Sequence, residues 1–147
     1  MTGRRKLPFR LISLLFLMSG LIAGCASAAS GVQMPMAPVE QMPAEVQAAP
    51  PAVREAYQFA VANPETMQAL PCYCGCGPIG HTSNYACYVS GEKADGSLEF
   101  DTHALGCSIC VDITQDAMRL LKKGKSVPEV RTYVDSTYAQ YGPSNMP

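Results

Sequence analysis

Ile109-Cys110-Val111-Asp112-Ile113-Thr114-Gln115-Asp116-Ala117-Met118-Arg119-Leu120-Leu121-Lys122-Lys123-Gly124 is the most regular run in this chain of 147 residues. Ile109, Ile113, Ala117, Leu120 and Leu121 fall on one helical face, the spacing of an amphipathic α-helix. Lys122 and Lys123 sit where a helix C-terminus favours positive charge, and Gly124 supplies the stop. Ser126-Val127-Pro128-Glu129 then has the form of a capping box. Val127, Val130, Val134, Thr137, Tyr138 and Tyr141 continue at helical spacing until Gly142-Pro143. So short a link between two amphipathic helices predicts an antiparallel hairpin. The tyrosines read as core residues with solvated hydroxyls.

The fold expected around this hairpin is a small, mainly α domain with a cysteine-rich irregular loop. Val53, Ala56, Tyr57, Ala60 and Val61 predict a helix from about Ala52, ended by Asn63-Pro64. Asn63 is placed to cap a second short helix, whose inward residues are Met67 and Leu70 and which Pro71 breaks. From Cys72 to Gly106 no helical period survives Gly75, Gly77, Pro78 and Gly80. Asp95-Gly96, between Val89 and Leu98, predicts a turn joining two short strands. The domain then spans 52–142, with 143–147 as a tail.

The N-terminus reads as an address. Arg4, Arg5 and Lys6 precede an apolar run from Leu11 to Ala23, the form of a secretory signal, and too short to span a bilayer. Its end, Leu21-Ile22-Ala23-Gly24-Cys25, resembles a bacterial lipobox, which implies removal of 1–24 and a lipid on Cys25. Residues 25–51, rich in Ala, Pro and Met, read as a tether. Met34, Met36 and Met42 offer thioethers but no fixed geometry, so they read as ordinary tether residues. Of eleven basic residues four leave with the signal; seven remain against twelve acidic ones, a formal charge of −5. That balance argues against nucleic acid as a partner. The expected location is the outer face of a cell membrane, lipid-anchored, beside a metal-donor or metal-acceptor protein.

Six cysteines remain after Cys25: Cys72, Cys74, Cys76, Cys87, Cys107 and Cys110. In an exported chain three disulfides are one reading. Against it, the three cysteines within Cys72–Cys76 are too close to pair readily with each other. The stronger reading is a site for a soft metal, Cu(I) ahead of Zn(II), since thiolates select such ions. The expected ligands are Cys72, Cys74 and Cys76, with Cys107, Cys110, His81, Cys87 and His103 assisting. Six thiols and two imidazoles exceed one tetrahedral site, so either two ions bind or one site coexists with a disulfide. Cys107 falls at a predicted helix start, where the dipole lowers a thiol pKa. A c-type haem is excluded, because Val111 follows Cys110. No Ser-His-Asp set, phosphate loop or paired-carboxylate motif is visible, and no catalytic residue is assigned.

Pro71-Cys72-Tyr73-Cys74-Gly75-Cys76-Gly77, with Gly80-His81, Cys87 and Cys107-x-x-Cys110, resembles the bacterial lipoprotein family named for its PCYCGC motif. The resemblance spans roughly 52–142 and implies an exported lipoprotein with a metal-related, cysteine-rich site, and no particular reaction. A second, partial resemblance covers about 106–142. Gly106-Cys107-Ser108-Ile109-Cys110, Gly124-Lys125-Ser126, Glu129-Val130-Arg131 and Tyr141-Gly142 are similar to the thiol oxidoreductase subunit of cytochrome c maturation. It implies a redox pair at Cys107 and Cys110, although that family lacks the Cys72–Cys76 cluster.

Overall fold

The computed structural model describes residues 33–146. The expected signal at 1–24 and the expected lipidation position Cys25 lie outside them. Six α-helices and one two-stranded sheet make up the described chain: α1 (Ala44–Gln47), α2 (Pro51–Ala62), α3 (Pro64–Gln68), β1 (Val89–Glu92), β2 (Leu98–Phe100), α4 (His103–Gly106), α5 (Ser108–Lys122) and α6 (Val127–Tyr138). It is the mainly α domain that the sequence predicts. No described helix is long and apolar enough to cross a membrane.

Helix α5 is central. It packs against α2 on one side and α6 on the other. Ile113 and Ala117 of α5, Ala56, Phe59 and Ala60 of α2, and Val130 and Val134 of α6 are all fully buried. Lys125 N–H donates to Leu120 O and Gly124 N–H to Leu121 O, the paired bonds of a Schellman stop, with Gly124 in the left-handed region at φ +80°. Ser126 and Glu129 form the capping box of α6. The pairing is antiparallel: Tyr138 Oη donates to Asp116, while Tyr133, earlier in α6, meets Arg119, later in α5. The Tyr138 hydroxyl is thus hydrogen-bonded to a carboxylate. Tyr141 lies beyond α6 and is mostly exposed.

The hairpin at Asp95-Gly96 forms. Val89 pairs with Phe100 and Glu92 with Leu98, with a bulge between Val89 and Gly91. Two strands alone are marginal in water. Here the ladder runs on, with Asp101 N–H donating to Tyr88 O, so the hairpin is attached where it delivers Asp101 and His103.

Both ends of the domain extend past their expected limits. Met42 and Val46 are 3% and 1% exposed, and Ala37 is buried, so packing begins well before Ala52. Ala37 N–H donates to Gln58 O, and Gln58 Nε2 donates back to Ala37 O, fixing the segment along α2. The sequence shows no period here because the buried residues lie in different local conformations: a coil, the end of a 3₁₀ turn and a one-turn helix. Met42 is therefore core. Asn63 does not cap α3 with its side chain; its Nδ2 donates to Pro35 O and Phe59 O, binding the same segment. At the other end, residues 143–146 do not trail away. A Cβ on Gly142 would stand 2.9 Å from Tyr73 O, a closeness that only glycine accepts without displacement. The chain passing there brings Asn145 against the cysteine loop.

Replacing Met42 by Ala separates a packed strap from a free tether. A buried Met→Ala change is expected to destabilise by about 2 kcal/mol or more, measured by urea unfolding. An unchanged midpoint would mean that the strap is not part of the folded unit.

Candidate metal centre

The motif Pro71–Cys76 lies in the irregular stretch between α3 and β1, so its shape comes from outside contacts. Asn145 supplies both contacts to the Cys72 backbone. Its Oδ1 accepts from Cys72 N–H at 2.7 Å, and its own N–H donates to Cys72 O at 3.1 Å. Its Nδ2 donates to His81 O and Ser83 O at 3.1 and 3.2 Å, and lies 3.7 Å from Cys76 Sγ. Gly75 adopts φ +81°, turning the chain between Cys74 and Cys76. Cys87 ends a 3₁₀ turn, Cys107 is the N-cap of α5, and Cys110 lies in the first turn of that helix.

These elements converge. Cys72 Sγ lies 3.4 Å from both Cys74 Sγ and Cys110 Sγ, and the latter two are 3.7 Å apart. His103 Nε2 is 3.3 Å from Cys74 Sγ. The ligand atoms of Cys74, His103, Cys107 and Cys110 all lie within 4.8 Å of one another, as do those of Cys76, His81, Cys87 and His103. All eight residues singled out as donors are thus gathered in one region. All six cysteines among the described residues are free thiols. Thiolate bonds of about 2.3 Å at tetrahedral angles place sulfurs about 3.8 Å apart, close to the spacing of the Cys72, Cys74 and Cys110 triangle.

Two groups behind the donors were not singled out by the sequence reading. Asp101 Oδ2 faces His81 Nε2 at 3.3 Å, and Asp101 Oδ1 accepts His103 N–H at 2.7 Å. The other ring nitrogen of His81 is Nδ1. That atom is buried and has no protein partner among the described residues. A carboxylate behind an imidazole whose other nitrogen is left free is the arrangement that orients metal-binding histidines. The second group is Asn145. Asp101 lies two residues before His103, a weak signal; nothing local marks Asn145.

Beneath the sulfurs lies a fully buried polar layer. Tyr88 Oη donates to Cys110 O at 2.8 Å and sits 2.6 Å from Thr114 Oγ1, to which Asn84 Nδ2 also donates. Burial, above all, pushes the Tyr88 phenol well above its ordinary range. This layer holds the carbonyl of Cys110 and hence the start of α5.

Residues 15–147 match the model of a family described as "Protein of unknown function with PCYCGC motif". The chain belongs to that family. The match extends beyond the 52–142 stretch on which the motif-based resemblance rests. No curated protein and no solved structure matches the chain. In the PCYCGC motif itself, Pro71 and Cys72 are fully buried and Cys76 nearly so, while Cys74 is half-buried and faces His103.

The thiols differ in acidity. Hydrogen bonds from Cys110, then Cys87, hold Cys72 far below the ordinary thiol range. The same contacts, that with Cys72 first, push Cys110 up. Burial leads in raising Cys74 and Cys76. For Cys87, the bond with Cys110 lowers the value, but the bond with Cys72 and burial together outweigh it and the thiol is raised. Of these five thiols, the contacts favour the thiolate at Cys72 and the protonated form at Cys74, Cys76, Cys87 and Cys110. Each protonated thiol that becomes a ligand must lose its proton, so affinity rises with pH, about tenfold per pH unit for each proton released. Competition titrations against a chelator at several pH values are expected to show an affinity climbing through neutrality. A flat profile would rule out ligation by the raised thiols.

Aspartate 101 gives a second measurement. Asp101→Ala is expected to weaken metal binding about 10–100-fold, the usual effect of losing a carboxylate behind a ligating histidine. Unchanged affinity in a folded variant would remove His81 from the ligand set.

Proposed function

We propose that the protein is an exported, lipid-anchored carrier of a soft metal ion, copper(I) ahead of zinc(II), serving metal delivery or detoxification outside the cytoplasm. The observation that carries this reading is the donor chemistry. Six sulfurs and two imidazoles converge, and no carboxylate enters either four-donor set. Hard cations need oxygen ligands; thiolate and imidazole favour copper and zinc. The address rests on the sequence: the basic residues Arg4, Arg5 and Lys6, the apolar run and the lipobox-like Leu21–Cys25. Acyl chains on Cys25 would hold the protein at the membrane, each buried CH₂ contributing about 0.8 kcal/mol. A partner that gives or takes the ion fits a site whose donors Cys74, His103 and Cys107 are only half-buried.

Thiol–disulfide exchange by Cys107 and Cys110 is the second reading. Its support is the position of Cys107, half-buried at the N-cap of a fifteen-residue helix and three residues before Cys110, the Cys-x-x-Cys spacing of a redox pair. Anaerobic, reduced protein exposed to Cu(I) and Zn(II) distinguishes the two. Metal carriage predicts retention of metal by the native chain and its loss when Cys72, Cys74 and Cys76 are changed to Ser. Exchange predicts that Cys107→Ser alone abolishes disulfide transfer while leaving metal uptake in place. No uptake above that of the triple variant sinks the carrier reading.

A further inference from the structure

The metal reading above leaves the number of ions and their arrangement open. Cys72 belongs to neither four-donor set, yet its sulfur lies within 4.8 Å of two sulfurs from each. Cys74 and Cys110, both 3.4 Å away, come from the set that includes Cys107. Cys76 and Cys87 come from the set that includes His81. We propose that the site is a two-ion centre in which the Cys72 thiolate bridges both ions. One ion is closed by Cys74, Cys107 and Cys110, and the other by Cys76, Cys87 and His81.

The backbone explains why one short motif serves two ions. Alternate residues of a uniformly extended segment would carry Cys72, Cys74 and Cys76 along one face. The left-handed Gly75, at φ +81°, turns the chain between Cys74 and Cys76 instead. Cys74 is sent toward the start of α5, beside Cys110, and Cys76 toward Asn145. The Cys-x-x-Cys pair, by contrast, rides on one helix start, and both its sulfurs enter the same set. Cys72 is left between, its N–H and C=O both held by Asn145. Two four-coordinate ions sharing one sulfur need seven donors, and these residues supply them without His103. His103 reaches both sets. His81 gives this division separate support, because its buried Nδ1 has no hydrogen-bond partner among the described residues and His81 belongs to the set without Cys107.

A bridging thiolate suits a soft, low-charge cation, because one sulfur can share its electron density between two such ions. The ligand class is the soft cation favoured in the reading above, Cu(I), two ions per chain, with each ligating S–H releasing its proton to solvent.

The test uses the full chain, reduced and kept from air, titrated with Cu(I) under a chelating competitor. Metal content and X-ray absorption are then measured. The expected result is two copper ions per chain and a metal–metal scattering shell. Cys107→Ser, which leaves the bridge, keeps that shell; Cys72→Ser loses it. One ion per chain, or two with no metal–metal shell, overturns the bridge and leaves the carrier reading standing. No uptake by the native chain overturns both. If Cys72→Ser does not fold, the native stoichiometry and shell decide the matter with Cys107→Ser.

Discussion

The contact between Cys72 and Cys110 joins the two parts of this protein that matter most to each other. The motif loop has no regular structure to hold it. Helix α5 has a fixed position, set by α2 on one side and α6 on the other. With Cys110 in its first turn, α5 presents a sulfur from a rigid base, and the loop closes onto it at 3.4 Å. The remaining donors follow from that closure: Cys107 one position before the helix, His103 on the short helix ahead of it, and Cys87 on the turn leading into the hairpin.

What keeps the loop closed is polar. Asn145 takes the place of a strand neighbour for Cys72, satisfying both its N–H and its C=O. Buried backbone groups need such partners, and a loop buried without them would be costly. Gly142 permits the approach, since any side chain there would press on Tyr73 O. Behind the site, Tyr57 Oη donates to Asp101 O at 2.7 Å, and the Tyr57 ring stands edge-on to Tyr88 at 4.9 Å. One layer thus ties α2, α5 and the hairpin end together and aims Asp101 at both histidines. Rigid support of this kind sets ligand geometry in metal sites.

A domain of this size has little core, and burial alone gives it a narrow margin. The cysteines serve both needs. Cys72, Cys87 and Cys110 are fully buried, and a protonated thiol packs as a small apolar side chain. As protonated thiols they fill the core; under the proposed reading, an ion would recruit them as ligands and add its binding free energy to the folded state.

The sequence by itself determined the helical hairpin, its Gly124 stop and its Ser126–Glu129 cap, because each follows from contacts within a few residues. It also named the candidate donors, since a sulfur or imidazole carries its own chemistry. The boundaries of the folded unit were not legible. Ala37, Met42 and Val46 pack through different local conformations, so no period marks them, and Asn145 acts on residues about seventy positions away. Only the tertiary structure decided which donors meet. Gly75 helps place Cys74 and Cys76 in different four-donor sets, Asp101 backs His81, and Cys72 comes to rest within reach of both sets. Each of those depends on where distant backbone segments cross, and spacing along the chain carries no record of that.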